Sequence, residues 1–344
     1  MAGTGPAMTN GGRCISLQTA PKLLYSFPMT NIGLVADAGG TNVRFALVDA
    51  DADAPVLQSP KKFASKEFAG IAEAAKAYLS QVSAQPSRAV FAVAGPVRDG
   101  AIHMTNLGWK FSQADVGAAL GIAEVRLIND FEAIALAVPH FGPGDLLAIG
   151  PAKPAARATV AIVGPGTGFG VAGCVPTDTG VTAIVSEGGH ASFAPVDDVE
   201  IDILKNLRAR FGRLSVERIL SGPGLATLSE AMGAVAPLSP QEITARAKAD
   251  PDSFCGSVFA RFCAILGSVA GDIALVMGAR GGVMIAGGIL PVMREALAAS
   301  AFRARFEAKG RFRDYMADIP THLIVQDFAG LMGAAASLQA MRRP

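Results

Sequence analysis

Several classes of protein are excluded by what this sequence contains only in small amounts. Charged residues make up just 17% of the 344 residues, and 30 lysines and arginines nearly balance 29 aspartates and glutamates, which leaves a net charge of +1. No run of five or more basic residues interrupts that balance. Neither a nucleic acid nor an anionic membrane surface is therefore expected as a partner.

Cysteine and histidine are also scarce. The four cysteines form no Cys-x-x-Cys pair, and the four histidines show no spacing typical of metal ligands. A disulfide framework and a dedicated zinc site are not expected, so the sequence favours a reduced, cytoplasmic setting.

Long apolar runs are missing as well, although the mean hydropathy is +0.38. The most apolar region, residues 264–293, is broken by Asp272, Arg280 and several glycines. It offers no uninterrupted stretch of the roughly 20 apolar residues that cross a bilayer. No membrane span is predicted, and the 51% of apolar residues are assigned to a folded core.

The length predicts two domains, since about 150 residues per domain is typical. Residues 1–30 differ from the rest because they are small, polar and rich in glycine and proline, without periodicity. We interpret them as a flexible N-terminal extension, because they lack the apolar central region of a secretory signal. A transit peptide is the alternative, disfavoured because the stretch is not amphipathic.

From Asn31 onward, predicted strands alternate with predicted helices, which favours an α/β fold with partly parallel sheets in two lobes around a cleft. Residues 31–48 and 158–175 share the order strand, glycine turn, strand, so a duplicated unit is predicted. Further strands are predicted over residues 88–97, 124–130, 281–289 and 322–327. Helices are predicted over residues 67–83, 112–120, 130–139, 197–211, 215–232, 239–248, 253–278 and 329–342.

The first glycine turn, DAGGTN, has the parts of a phosphate site. Gly39 and Gly40 let backbone N–H groups converge on an anion, and Thr41 adds a hydroxyl donor. Asp37 places a carboxylate within reach of a magnesium shell. An ordinary β-hairpin turn is the alternative, because Gly-Gly is common there.

The second glycine turn, Gly164–Gly170, is denser and contains Thr167. Its glycines begin a G-x-G-x-x-G spacing, and Glu187 follows about 20 residues later, which imitates a dinucleotide-binding fingerprint. That fingerprint requires a helix, whereas the segment that follows is β-branched and broken by Pro176 and Gly180. We therefore predict a hairpin. Gly-Lys-Ser/Thr occurs nowhere, which excludes a Walker P-loop, and two glycine hairpins fit a nucleotide bound between the lobes.

Two polar segments are candidates for chemistry. Asp130 follows a predicted strand, at the edge where ligands of open α/β sheets collect, and fits either a helix N-cap or a general base. Asn129 beside it offers a donor and an acceptor. Glu187 and His190 lie on one glycine turn and could hold vicinal hydroxyls, although a structural histidine is the alternative.

Three further segments are ambiguous on their residues alone. Gly287 and Gly288 follow a buried strand and fit either a tight turn or a nucleoside contact. Glu217 fits a solvated helix position. Asn106, close to the single tryptophan Trp109, indicates nothing by itself.

Seven motifs in order resemble the bacterial-type glucokinases of the hexokinase–actin ATPase superfamily. They are DAGGTN, GPVRDGAIHMTNLGWKFS, LINDFEAIALAVP, GPGTGFGVA, EGGHASFAP, ERILSGPGL and GGVMIAGGI. The resemblance runs from about Met29 to the last predicted helix. Two features depart from it: the leader is extra, and Pro165 stands where a small residue is expected.

The resemblance implies a two-lobed actin/hexokinase-like (ribonuclease H-like) α/β fold with an interlobe cleft. Residues 31–140 and 329–344 would form a small α/β domain, and residues 141–328 a large one. It also implies a homodimer.

The implied activity is ATP-dependent phosphorylation of D-glucose to glucose 6-phosphate, the first step of glycolysis, with Asp130 as general base for the 6-hydroxyl. Mg²⁺ would lie near Asp37, bound through water. The sugar-binding residues would be Asn106, Asn129, Asp130, Glu187, His190 and Glu217. The ATP-binding residues would be Ala36, Asp37, Ala38, Gly39, Gly40, Thr41, Gly166, Thr167, Gly168, Gly287 and Gly288.

Three alternatives compete with this interpretation. The related repressor/ORF/kinase sugar kinases carry a cysteine-rich zinc motif after the histidine, whereas ASFAP follows His190 here. A non-catalytic sugar-binding regulator would need a DNA-binding unit, for which the leader is too short and too polar. A kinase for another hexose or an amino sugar stays open.

Overall fold

Two β-sheets organise the chain in the computed structural model, which describes residues 31–150, 153–178 and 180–341. The predicted extension, residues 1–30, and the last three residues assigned to the small domain lie outside the described residues.

The first sheet is built by the N-terminal half of the described chain and has the strand order β3-β2-β1-β4-β7. A separate two-stranded hairpin, β5-β6, projects from it. The elements are β1 (Ile32–Ala38), β2 (Asn42–Asp49), β3 (Gln58–Ala64), α1 (Ile71–Val82), β4 (Arg88–Val93), β5 (Ala101–Met104), β6 (Trp109–Ser112), α2 (Gln113–Leu120), β7 (Glu124–Asn129) and α3 (Asp130–Ala137).

The second sheet has the order β11-β10-β9-β12-β13-β8 and is covered by a larger set of helices. Its elements are β8 (Leu146–Ala148), β9 (Val160–Pro165), β10 (Phe169–Thr177), β11 (Gly180–Ser186), α4 (Asp198–Phe211), α5 (Gly222–Ala231), α6 (Pro240–Ala249), α7 (Phe254–Met277), β12 (Gly282–Ile285), α8 (Arg294–Ala299), α9 (Phe302–Glu307), α10 (Arg313–Ala317), β13 (Thr321–Ile324) and α11 (Ala329–Ala340).

The two sheets repeat one topology, which confirms the predicted duplication. In the first, β1 pairs antiparallel with β2 and parallel with β4. In the second, β9 pairs antiparallel with β10 and parallel with β12. Both glycine turns are therefore the tips of antiparallel hairpins, as predicted, and the dinucleotide-binding alternative for the second turn is excluded.

Helices α3 and α11 lie between the two sheets. Leu331 and Leu338 of α11 are buried against the first sheet, and Ala135 of α3 is buried with strands of the second. The helices cross so closely that a Cβ atom added at Gly333 would lie 1.6 Å from the carbonyl oxygen of Ala133. Small side chains at this crossing allow one helix pair to join both sheets.

Helix α7 corresponds to the predicted helix 253–278 and overlaps the most apolar region of the sequence, residues 264–293. By length and composition it could cross a bilayer, and it is the one helix among the described residues that could. However, 72% of its most apolar window is buried inside the protein. Phe259, Phe262 and Ile265 pack in the large cluster under the second sheet, so α7 has the burial of a core helix.

Several predicted boundaries were wrong. The predicted helix 67–83 is shorter, since α1 begins only after its N-cap, Gly70. The preceding residues Ser65–Glu67 form a separate 3-10 turn. The predicted helix 215–232 is broken into a 3-10 turn, Val216–Arg218, and α5. The break occurs because Ser221 caps α5 by accepting from the backbone N–H of Gly224, so the chain starts a new helix there.

The α3–α11 crossing gives a first prediction. Gly333→Ala should lower the free energy of unfolding by about 2–4 kcal/mol, because the new methyl group meets the Ala133 carbonyl and forces the helices apart. Glycine to alanine inside a helix normally stabilises by about 1 kcal/mol, so even the sign of the change is diagnostic. The measurement is equilibrium unfolding in urea.

Gly144→Ala is the matched control, since a Cβ atom there meets nothing within 4 Å. It should change stability by less than about 0.5 kcal/mol. An unaltered or higher stability of Gly333→Ala would mean that the crossing yields easily.

Candidate active site

The candidate site is centred on the first turn of α3, where β7 ends. Asn129 is the N-cap of this helix: its Oδ1 accepts from the backbone N–H of Phe131 (2.9 Å) and of Glu132 (3.2 Å). The alternative that Asp130 is the N-cap is therefore wrong. The partly buried Asp130 carboxylate accepts the N–H of Phe131, at 3.0 Å, and apart from its own N–H it has no other hydrogen-bond donor among the described residues.

The Asp130 carboxylate has an unusual acidity. Its pKa is raised to about 7, first by burial and then by the nearby carboxylates of Asp37 and Glu187, while the N–H of Phe131 opposes the rise. A base is most effective when its pKa lies near the working pH. Asp130 is therefore suited to accept a proton at neutral pH.

Asp37 is the second carboxylate, at the end of β1. Burial raises its pKa, and Arg44 opposes that rise through an ion pair of 3.1 Å between Nη1 and Oδ2. Gly330 in α11 packs so closely that a Cβ atom there would lie 2.8 Å from Cγ of Asp37. The carboxylate is thus fixed between β2 and α11.

The first glycine turn reaches across to the other lobe. Its tip is closed by a hydrogen bond from the N–H of Gly39 to the carbonyl of Asn42, 2.9 Å. A Cβ atom at Gly40 would lie 3.6 Å from Cβ of Asn106 and 3.8 Å from Oγ1 of Thr167. Gly40, Asn106 and Thr167 therefore meet at one point of the cleft.

Two predicted ATP contacts in β1 have no free side chain. Ala36 and Ala38 are fully buried in the core and lie in the ladder between β1 and β2. Only their backbone could take part in binding.

The second glycine turn is held by Glu217. Gly166 donates to the carbonyl of Gly168 (2.8 Å), and Phe169 donates its N–H to Oε2 of Glu217 (3.0 Å). A Cβ atom at Gly168 would lie 2.3 Å from that same oxygen. The alternative of a solvated helix position for Glu217 is thus wrong, because its carboxylate supports the turn.

Gly287 and Gly288 follow β12, and the first of them fits the tight-turn interpretation. Its φ is +105°, and a Cβ atom there would lie 2.1 Å from the carbonyl oxygen of Pro165. Only glycine can take that place. Gly288, in contrast, has nothing within 4 Å of an added Cβ atom, so space for a ligand exists beside it.

Glu187, His190 and Glu217 form one polar cluster, defined here as the carboxylate–imidazole cluster. Nε2 of His190 lies 3.9 Å from Oε2 of Glu187, and Nδ1 lies 4.0 Å from Oε1 of Glu217. His190 lies on the 3-10 turn Gly188–His190 and Glu217 on the 3-10 turn Val216–Arg218, and a strand-like bridge between Ser192 and Ser215 holds these two turns together. Glu217 binds the N–H of Phe169, and the ring of Phe131 packs on the adjacent Gly170, so the cluster and the candidate base border the same β9–β10 hairpin.

Two contacts beside Asp130 were not predicted from the sequence. The ring of Phe131 packs on Gly170 of β10, where a Cβ atom would lie 2.0 Å from the ring. Nδ2 of Asn129 donates to the carbonyl of Gly95, 3.1 Å. Both contacts join residues far apart in the chain, so no local pattern indicates them.

Comparison with known proteins shows the family of this chain. The Glucokinase family model matches residues 34–341. The glucokinase of Caulobacter sp. (strain K31) is 47% identical over 312 residues, which cover 89% of this chain and 95% of that protein. The chain belongs to the glucokinase family. The activity of this family is the ATP-dependent phosphorylation of glucose, so the chain is a kinase.

Solved structures of the glucokinase family share the fold. A glucokinase from an Antarctic psychrotroph is 40% identical, with a TM-score of 0.79 over 90% of this chain and 99% of that chain. A ROK family glucokinase from Streptomyces griseus, solved in complex with glucose and AMPPNP, is 19% identical. Its TM-score is 0.63 over 90% of this chain and 100% of that chain, a likeness of fold alone.

The raised pKa of Asp130 predicts a pH dependence. If its ionised form is the base, kcat/KM should rise about tenfold per pH unit below about 7 and level off above it. Glu187→Gln should move this rise to lower pH, because one of the carboxylates that face Asp130 is neutralised. Asp37 is the other carboxylate, and Arg44 faces Asp37. Steady-state rates from pH 5.5 to 8.5 measure both effects, and a flat profile would contradict the assignment.

The same shift predicts a change in stability. Because the pKa in the folded state exceeds the usual value of about 3.9, the folded state binds more protons between about pH 4 and pH 7. Stability is therefore lost as the pH rises through that window. Asp130→Asn should melt several degrees above the wild type at pH 8, with a difference that shrinks toward pH 4. Calorimetry tests this, and equal gains at both pH values would contradict it.

Proposed function

We propose that Asp130 is the general base when this chain transfers the terminal phosphoryl group of ATP to the 6-hydroxyl of D-glucose. The observation that carries this proposal is a partly buried carboxylate with a pKa of about 7, close to the second glycine turn and to the carboxylate–imidazole cluster. Phosphoryl transfer depends mainly on positioning and charge neutralisation, with one carboxylate that orients the nucleophile.

The proton and the phosphoryl group move in one displacement. A carboxylate oxygen of Asp130 takes the 6-hydroxyl proton as the sugar oxygen bonds to the γ-phosphorus, and the bond from that phosphorus to the bridging oxygen breaks. ADP leaves with the bridging oxygen. Asp130 then returns its proton to solvent.

The other sugar hydroxyls would bind to the carboxylate–imidazole cluster. The carboxylates of Glu187 and Glu217 accept hydrogen bonds, and His190 donates or accepts. Asn106 lies against Gly40, at the tip of the first glycine turn. Asn129 uses Oδ1 for capping and one Nδ2 hydrogen for Gly95, which leaves its second Nδ2 hydrogen for a sugar oxygen.

The phosphates would bind between the two glycine turns. Backbone N–H groups of such turns bind anions, and Thr41 and Thr167 add hydroxyls. On the nucleoside side, the open space beside Gly288 favours that residue over Gly287 as the contact.

We propose Asp37 as the protein ligand of Mg²⁺, through water. The residues fit this role because Arg44 binds one carboxylate oxygen of Asp37, Oδ2, so that the other oxygen, Oδ1, is the one offered to a metal-bound water. No group of three or more potential ligands occurs among the described residues, so water and phosphate oxygens would complete the shell. Bound there, the ion would neutralise charge on the transferred phosphoryl group.

Residues 31–140 and 329–344 are proposed as the small domain and residues 141–328 as the large one, because each contains one of the two sheets. Closure of the two domains would exclude water from the phosphoryl group.

A homodimer is proposed from the family resemblance. A cytoplasmic location is proposed because Cys174, Cys255 and Cys263 are free and buried, as in a reducing compartment.

The base assignment is tested by Asp130→Asn. The variant should retain glucose binding and lose at least about 100-fold in kcat, because the amide cannot accept the hydroxyl proton. ADP release with Mg-ATP measures turnover, and calorimetric titration measures sugar binding. Asp145→Asn is the control, since Asp145 is a partly buried carboxylate that accepts from Gly142 and Gln326 outside the site. Near-normal turnover of Asp130→Asn would remove the assignment.

The substrate is tested with the same assay on glucose, fructose, mannose, glucosamine and N-acetylglucosamine. We expect glucose to give the highest kcat/KM. If another sugar gave the highest value, the base assignment would stand and the sugar would change. If no sugar released ADP but one raised the melting temperature, the chain would be a binder.

A further inference from the structure

The cap of helix α3 contains a carboxylate that no step of the proposed mechanism uses. Oε2 of Glu132 accepts the backbone N–H of Asn129 (3.3 Å), while Oδ1 of Asn129 accepts the N–H of Glu132 (3.2 Å). This reciprocal capping box encloses Asp130, which lies between the two residues in the chain. The position of the candidate base is therefore set by a ring of contacts around it.

Two other contacts complete that ring. Asn129 is held on its far side by the carbonyl of Gly95, at the end of β4. Phe131 is held by the close packing of its ring on Gly170 of β10. Apart from its own N–H, the Asp130 carboxylate accepts a hydrogen bond from one described residue, through the N–H of Phe131. Its orientation thus depends on how well its neighbours are fixed.

Glu132 does not belong to the carboxylate–imidazole cluster. It lines a cavity of about 460 Å³ between α3, α11 and the β10–β11 hairpin, together with Arg126 and His140. Burial raises the pKa of Glu132, whereas the N–H of Asn129 and the charge of Arg126 lower it. No residue of the cluster lines that cavity, so Glu132 would act through Asn129 and not on the sugar.

We propose that Glu132 is a positioning residue for the general base: its carboxylate fixes Asn129 and so holds Asp130 in its reactive orientation. This inference rests on the proposed role of Asp130. A displacement of about 1 Å at a reacting group can lower the rate by about 100-fold, so even a loosened turn has a measurable effect.

The chain offers a matched control in α6. There Ser239 and Glu242 form the same kind of capping box, with Oε2 of Glu242 accepting the N–H of Ser239 at 2.8 Å. That helix contains none of the proposed catalytic or binding residues. Loss of Glu242 should therefore reproduce the stability cost of a lost cap, about 1 kcal/mol, without its effect on a base.

The experiment compares Glu132→Ala, Glu132→Gln and Glu242→Ala in steady-state assays with glucose and Mg-ATP. Glu132→Ala should lower kcat about 10- to 100-fold with less than a threefold change in KM. Its acidic limb should move to higher pH, because the N–H of Phe131, which lowers the pKa of Asp130, is held less firmly. Glu132→Gln keeps an acceptor oxygen and should remain within about threefold of the wild-type kcat. Glu242→Ala should lose stability alone.

The opposite results overturn the proposal. The proposal is wrong if Glu132→Ala has the wild-type kcat. It is also wrong if Glu132→Ala loses activity, Glu132→Gln loses as much, and the pH profile stays where it is in the wild type. In Asp130→Asn the further change Glu132→Ala should have less than a threefold effect on kcat, and a full additional loss would show that Glu132 acts elsewhere. Near-normal turnover of Asp130→Asn alone would instead remove the base assignment, and this inference with it.

Discussion

The close crossing of α3 and α11 is the constraint on which the rest of the structure depends. One helix starts with Asp130, and the other begins where Gly330 packs against Asp37. Because Gly333 lies directly on the carbonyl of Ala133, the separation of these helices is fixed by backbone contact and not by adaptable side chains. The separation of Asp37 from Asp130 therefore depends on glycines and alanines, some of which belong to a helix almost 200 residues further along the chain.

The proximity of these carboxylates lowers the stability of the folded protein when Asp130 is ionised. Burial and the neighbouring charges of Asp37 and Glu187 disfavour ionised Asp130, and these conditions keep its pKa near neutrality. Arg44 offsets the charge of Asp37, whereas no described cation is paired with Asp130. Stability and basicity are thus opposed at one carboxylate, as expected where a site is organised for proton transfer.

The sequence allowed the two hairpins, their duplication and the core helix α7 to be predicted, because glycine turns and apolar periodicity are local signals. It left Asp130 and Glu217 each with two interpretations. The N-cap alternative for Asp130 was excluded by the hydrogen bonds of Asn129, and the solvated alternative for Glu217 by its contact with Phe169. Both contacts depend on tertiary structure, on the end of β7 and on the pairing of β9 with β10. The polar, proline-containing strand β3 was missed, since its pairing with β2 stabilises it more than its own residues do. Asn129 and Glu132 have the spacing of a capping box, but Asp130 between them fits an N-cap equally well on sequence alone, so the role of Glu132 needed the structure.

The placement of α11 also bears on the order in which the chain can fold. One face of the first sheet is completed by Leu331 and Leu338, nearly three hundred residues after β1 begins. During synthesis, the earlier lobe leaves the ribosome with that apolar face uncovered until the last helix follows. Contacts of such long sequence separation are slow to form and expose partly folded states to aggregation. Helix α11, which packs against Asp37 in the site, is thus also the element that covers this apolar face and so limits aggregation of the partly folded chain.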